Sequence, residues 1–238
     1  MKVLITGATG LVGTELVSLL LKNGIHIHYL TTSEKKLQHE TQYKGFLWDP
    51  EKGEADVRCI EDVDAIIHLA GASISRRWTD AYKEEILESR VVSANLLYKI
   101  LKNHNHTVKH FISASAIGIY PDSTDKVYSE DSPEADDSFL GQVVTKWEQA
   151  ADLFSQLGIS VTKIRTGLVL SGKGGMLKEL ELPVKFGLGA AFGNGKQMQS
   201  WIHLRDLVGI YHFVLMHHLE GIYNAVAPYP VSQKQLIR

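Results

Sequence analysis

Three glycines, Gly7, Gly10 and Gly13, recur three apart in "TGATGLVG" near the start of the chain. That spacing suits a pyrophosphate. The first glycine permits a sharp turn, the second leaves bare backbone for the phosphates, and the third lets a helix pack closely on a strand. Thr9, Leu11 and Val12 complete the turn. The N–H groups at the helix start supply donors and a positive dipole end. A dinucleotide is the ligand this arrangement fits, provided that a strand precedes it and a helix follows. A second cluster, Thr31, Thr32 and Ser33, closes the next apolar run, with Lys35 and Lys36 just beyond. A carboxylate there would take the ribose diol of NAD. The nearest acid is Glu34, and hydroxyls with lysines suit a 2′-phosphate better, so NADP is the expected cofactor and NAD the alternative.

The elements needed to hold these groups are legible. "KVLIT" (2–6), "IHIHYLTT" (25–32), "GFLWD" (45–49), "DAIIHLAG" (64–71), "KHFISASA" (109–116) and "SVTKIRTGLVL" (160–170) read as strands. Helical spacing follows the first strand until Asn23-Gly24, spans about 79–102, and returns over 138–158, where Gly158 closes it. Such alternation predicts an α/β fold of the Rossmann type, a doubly wound parallel sheet covered on both faces. After Leu170 the chain turns glycine-rich, with "SGKGG" and "GLGAAFGNGKQ". The expected organisation is therefore a dinucleotide-binding domain over 1–170 and a smaller substrate-side lobe over 171–238. "FGLGAAFGNGKQ" would cover the substrate. "PVSQKQLI" reads as a helix beginning at Ser232, so the native chain is expected to continue.

Bulk properties narrow the partners. A net charge of −2 without a Lys/Arg run argues against nucleic acid. No apolar run approaches the roughly 20 residues that span a bilayer, and the start lacks a signal-peptide pattern. The single cysteine, Cys59, leaves no disulfide framework and fits a reducing, cytoplasmic setting. "HNH" at 104–106 and "HH" at 217–218 lack the helical spacing of zinc ligands, so no metal is expected. The expected partner is a small molecule. The oligomeric state is not indicated.

Longer strings carry a resemblance. "TGATGLVG", "HLAGASI", "SASAIGIY" and "RTGLVLS" resemble the extended short-chain dehydrogenase/reductase superfamily. "RRWTDAYKEEILESR" (76–90), "TKWEQAA" (145–151), "GGMLKEL" (174–180) and "SWIHLRDLVG" (200–209) are similar to one sugar-epimerase-like subgroup, along essentially the whole chain. The resemblance implies cofactor roles for the glycine turn, for Thr31 and Thr32, for Leu69, Ala70 and Gly71 after the fourth strand, and for Glu85, Arg90 and Arg165. The subgroup usually has arginine where this chain has Thr32, which weakens the 2′-phosphate clamp. Arg90 would place a fixed cation near the pyrophosphate, or else pair with Glu85 or Glu88.

Enzymes of the superfamily use a Tyr-x-x-x-Lys pair with a Ser or Thr. The phenol is the acid/base, the lysine lowers its pKa and holds the ribose, and the hydroxyl binds the substrate oxygen. Lys146 lies on the expected helix, but Gln142 stands four residues before it. Tyr98 and Lys102 repeat the spacing on a helix that should face away. Ser115 takes the serine's place, and the proton falls to Tyr120 on the next loop, with Lys146 as its cation, or to a water relayed to Lys146. His203 and Asp206 are the best polar pair on the substrate side, or else fix a loop to a helix start. The expected activity is NAD(P)-dependent oxidoreduction or epimerisation of a carbonyl, alcohol or sugar-like substrate. The alternative is a non-catalytic NADP-binding sensor or scaffold, motivated by Gln142.

Overall fold

Alternation of apolar runs with amphipathic helices folds here into one dominant sheet. The computed structural model describes residues 1–175 and 194–236. In chain order, β1 (Lys2–Thr6) leads into α1 (Leu11–Lys22), followed by β2 (His26–Thr31), β3 (Tyr43–Asp49), β4 (Glu54–Ala55) and β5 (Ala65–His68). Then come α2 (Asp80–Asn103), β6 (His110–Ala116), α3 (Phe139–Asp152), β7 (Ser160–Thr166) and β8 (Leu168–Leu170). Past the undescribed residues lie β9 (Met198–Gln199), β10 (Trp201–His203), α4 (Leu204–His217), β11 (Gly221–Ala225), β12 (Val231–Ser232) and the short α5 (Gln233–Leu236).

The main sheet has the order β11-β7-β6-β5-β1-β2-β3-β4, parallel except for the β3–β4 pair. The winding reverses between β1 and β5, which opens a crevice at the carboxyl ends of those strands. The period-two rule decides which face each side chain feeds. Val3 and Ile5 of β1 pack with Leu16 and Leu20 of α1 and Leu207 and Tyr211 of α4. Leu4, between them, packs in the opposite cluster with Leu97, Ile100, Ala151 and Phe154 from the α2–α3 side. Each such fully buried side chain contributes about 1.5–3 kcal/mol over an exposed one.

Two departures from the sequence-based expectation matter. The strand expected over 160–170 breaks at Gly167, where an added Cβ would lie 2.3 Å from the Ser200 carbonyl oxygen. Beyond it β8 leaves the main sheet and pairs with β10 in a separate two-stranded ladder. Further on, β11 pairs in parallel with β7 along the main sheet's edge. Thus α4 and β11, which follow residue 170, pack on and extend the main sheet. The predicted substrate cover, "FGLGAAFGNGKQ", lies mostly outside the described residues. Ser232 does stand at a helix start, its hydroxyl accepting the Gln235 N–H at 3.3 Å. Among the described residues no helix is long and apolar enough to cross a membrane.

Candidate functional site

The glycine turn lies at the β1–α1 junction, at the mouth of the crevice. Gly7 has φ +69°, and a Cβ there would meet the Leu69 carbonyl at 2.9 Å. Both the positive φ and the close approach of the β5 end require glycine. A Cβ on Gly13 would sit 2.2 Å from the Gly7 carbonyl oxygen, so helix and turn touch backbone to backbone. Gly10 is exposed, its N–H donates to Gly7 at 3.0 Å, and no side chain caps α1. The first turn of α1, with Leu11 and Val12, therefore begins with bare N–H groups.

A cavity of about 820 Å³ runs from this turn across the strand ends. Gly7, Thr9, Thr31, Thr32, Ala70, Gly71 and Glu85 all line it. Lys36 lines it too, and its Nζ lies 3.3 Å from the Thr9 hydroxyl. Ser33 stands just behind, its N–H donating to Thr31 Oγ1 at 3.2 Å. The bare glycine cradle and the uncapped helix start fit the pyrophosphate of a nicotinamide dinucleotide, and Lys36 places a cation at the cavity rim.

Behind the cavity runs a chain of buried hydrogen bonds. Thr6 Oγ1 accepts the N–H groups of Leu69 and Ala70, both at 3.1 Å, and lies 2.8 Å from His68 Nδ1. His68 Nε2 lies 3.2 Å from Ser93 Oγ, which donates to the Ser89 carbonyl at 2.6 Å. The chain is consistent if Thr6 donates to Nδ1 and the imidazole proton sits on Nε2. Burial pushes the His68 pKa down to about 4, so the ring is neutral. Among the described residues Arg90 forms no ion pair with Glu85 or Glu88. It donates to the Ile86 and Ala72 carbonyls at 2.8 and 3.1 Å, and its guanidinium faces the Trp147 ring at 5.0 Å. A Cβ on Gly71 would be 3.0 Å from that guanidinium, so Arg90 braces the cavity wall from behind. Burial lowers its pKa to about 10.

The groups expected to handle protons are found in a second network. Ser115 and Arg165 are register partners across β6 and β7. Ser115 Oγ donates to Glu148 Oε1 at 2.5 Å, and Arg165 grips the same carboxylate at 2.8 and 2.9 Å. Arg165 Nη1 also donates to the Tyr120 hydroxyl at 2.8 Å, and that hydroxyl donates to Asn224 Oδ1 at 2.8 Å. Ser115, Glu148 and Arg165 are each buried. Burial raises the Glu148 pKa, but the hydrogen bonds from Arg165 and Ser115 outweigh it and hold the carboxyl below its usual range. The same pairing raises the pKa of Arg165.

One expectation is thereby corrected. The cation at Tyr120 is Arg165, and Lys146 makes no hydrogen bond or ion pair with it among the described residues. Lys146 shares an exposed stripe of α3 with Gln142 and Gln149, while Val143, Val144, Trp147, Glu148 and Ala151 are buried. Two residues on a helix differ by about 200°, so Lys146 points away from the side that carries Glu148. One and two turns before Glu148, that side holds Val144 and Leu140, neither a phenol nor an amine. Arg165, implied to bind cofactor, is engaged by Glu148 and Tyr120. On the far side, His203 Nδ1 accepts the Arg205 N–H at 3.2 Å and caps α4, while Asp206 sits in that helix's first turn. The Tyr98 hydroxyl donates to Gln156 at 3.2 Å, away from the cavity.

Glu148, Asn224 and His68 are the participants that sequence inspection missed. A signal existed for the first: Glu148 sits between Trp147 and the Ala150-Ala151 pair on the apolar side of an amphipathic helix, and Arg165 interrupts an apolar strand. Two opposite charges on buried faces call for each other.

The comparisons agree with the fold. An epimerase family protein of Staphylococcus aureus (strain N315) is 36% identical over 231 residues, covering 97% of this chain and 76% of its own length. The human epimerase family protein SDR39U1, solved with NADPH, matches with a TM-score of 0.83 at 32% identity, over 98% of this chain and 76% of that one. A nucleoside-diphosphate sugar epimerase from Corynebacterium glutamicum matches at TM-score 0.83 and 35% identity, over all of this chain and 48% of that one. A UDP-glucuronic acid 4-epimerase of Bacillus cereus, at 19% identity and TM-score 0.82, shares the fold. Residues 3–147 match the NAD dependent epimerase/dehydratase family, and the chain belongs to that family.

Proposed function

We propose that the protein binds NADP(H) and serves an oxidoreduction or epimerisation at an alcohol or carbonyl carbon of a small, sugar-like molecule. The observation that carries this reading is Lys36, held over Thr9 at the rim of the glycine-turn cavity. It supplies the cation for a 2′-phosphate that Thr32 does not. The NADPH found with the human relative supports the same choice. When bound, the cofactor gives or takes hydride. The chain's own part is to cradle the pyrophosphate on Gly7–Gly13, to fix the Leu69–Ala72 segment through Thr6 and Arg90, and to present Ser115 to the substrate oxygen. A single buried cysteine, Cys59, fits action in the cytoplasm. Fluorescence titration with NADPH and NADH tests the cofactor. Transfer of deuterium from labelled NADPH to a panel of ketones and keto-sugars tests the chemistry.

A second reading is favoured by a specific observation: Lys146 faces solvent and the Tyr120 hydroxyl is committed to Asn224. The protein would then hold NADP(H) without turnover, as a sensor or scaffold. Tight NADPH binding with no deuterium transfer to any of the panel would establish it.

A further inference from the structure

We propose that Tyr29 is a positioning residue for cofactor selection: lying across Gly45, it clasps the backbone of residues 36–38 and so holds the Lys36 ammonium at the cavity rim for the 2′-phosphate of NADP(H). The inference deepens the functional reading above and rests on it.

The segment after β2 has little to hold it locally. Its one helical piece is the single turn Glu34–Lys36, no side chain caps that turn, and Leu37 is already extended. Tyr29 supplies what local bonds do not. Its ring is buried in β2 and stacks on Tyr43, 4.3 Å between ring centres. It then crosses Gly45 of β3, where an added Cβ would lie 2.6 Å from both Cζ and the hydroxyl oxygen. Gly45 is therefore the gap through which the phenol reaches the loop. There the hydroxyl donates to the Lys36 carbonyl at 2.5 Å and accepts the Gln38 N–H at 2.8 Å. Burial raises the Tyr29 pKa, so the proton stays on the oxygen. The Gln38 carbonyl is held in turn by the Gly45 N–H at 2.8 Å. The backbone on either side of Leu37 is thus pinned to β2 and β3, and Lys36 with it. The lysine side chain is exposed and reaches Thr9 Oγ1 at 3.3 Å. An ammonium on a flexible four-carbon stem stays at one place only if its backbone does.

The test is the ratio of NADPH to NADH affinity, read by fluorescence titration of the wild type, Tyr29→Phe, Gly45→Ala, Lys36→Ala and the double variant of Tyr29→Phe with Lys36→Ala. Tyr29→Phe keeps the buried ring and removes only the clasp. It should weaken NADPH about three- to tenfold and NADH by less than about twofold, the size of one or two hydrogen bonds that no longer hold the turn. Gly45→Ala keeps the hydroxyl but displaces the ring, and should shift the ratio the same way. Once Lys36 is replaced, Tyr29→Phe should change the ratio no further, because the clasp acts through that ammonium. A merely structural tyrosine would lower both affinities together, in either background. An unchanged ratio in Tyr29→Phe or Gly45→Ala, an equal loss for both cofactors, or a shift that persists on Lys36→Ala would overturn the proposal. A wild type that binds NADPH no more tightly than NADH would overturn the choice of NADP in the functional reading, and the proposal with it. A wild-type preference that survives Tyr29→Phe would overturn the proposal alone.

Discussion

The Lys36 ammonium and the Thr9 hydroxyl lie 3.3 Å apart, so a cation from the segment after β2 bridges back onto the glycine turn. Lys36→Ala should therefore weaken NADPH about tenfold while leaving NADH nearly unchanged, since one charge-assisted contact to phosphate is worth about 1.5–3 kcal/mol. Parallel fluorescence titrations decide the matter. An equal loss for both cofactors would assign Lys36 to the shared part of the ligand.

Two glycines of the turn should separate binding from stability. At Gly10 an added Cβ meets only the Gly7 carbonyl oxygen, at 3.3 Å. Gly10→Val should fold cooperatively and lose cofactor binding, because the side chain stands where the pyrophosphate approaches. At Gly13 the added Cβ would be 2.2 Å from backbone that cannot give way. Gly13→Ala should lower the melting temperature even without cofactor. Thermal scans with and without NADPH distinguish the two outcomes.

Tyr120→Phe removes a hydroxyl that accepts from Arg165 and donates to Asn224. Leaving two partly buried partners unmatched should cost about 1–3 kcal/mol. For a chain of this size the melting temperature falls by roughly 2–4 °C per kcal/mol. Lys146→Met, expected from sequence alone to harm binding, should leave both NADPH affinity and melting temperature unchanged. A clear loss of affinity in Lys146→Met would show that α3 turns on ligand binding.

Acid should destabilise the protein well before its carboxylates titrate. Burial lowers the His68 pKa from 6.5 to about 4, so the unfolded chain takes up the proton first as the pH falls. The stabilisation is complete above about pH 6.5 and is lost progressively down to about pH 4, with a ceiling of about 3 kcal/mol for this one group. His28 and His110, both lowered mainly by burial, act with the same sign. Glu148, held low by Arg165 despite its burial, adds a further loss that begins as the pH falls through the usual carboxylate range. Urea midpoints at pH 7 and pH 5 should differ clearly in the wild type and less so in His68→Gln. An unchanged difference in that variant would remove His68 from the account.

What was legible in the sequence follows from locality. The glycine turn, the helix ends at Asn23-Gly24 and Gly158, and the parallel strands announce themselves through neighbours a few residues apart. The proton-handling network does not, because its contacts join Ser115 to Glu148, Tyr120 to Asn224 and Glu130 to Asn224, pairs 33, 104 and 94 positions apart. Lys146 misled through its place in the chain order. The stripe of Gln142, Lys146 and Gln149 was readable, and it puts the ammonium on the solvent side. β11 was missed because "GIYNA" is short and lies beyond a glycine-rich stretch that suggested a new lobe.

The position of β11 has a consequence for how the protein is made. Among the described residues it is the outermost strand on its side of the main sheet, and its hydrogen-bonded neighbour there is β7. On a translating ribosome, β1 to β7 emerge first and can pair among themselves, while the outer edge of β7 waits some 55 residues for its cover. Through that interval the nascent chain shows an open ladder of N–H and C=O groups, the feature that invites pairing with a neighbouring chain. Tyr120 and Arg165 also lack Asn224 until then. Slow decoding or early release ahead of residue 225 should therefore favour aggregation, and binding factors that shield strand edges should act on this intermediate.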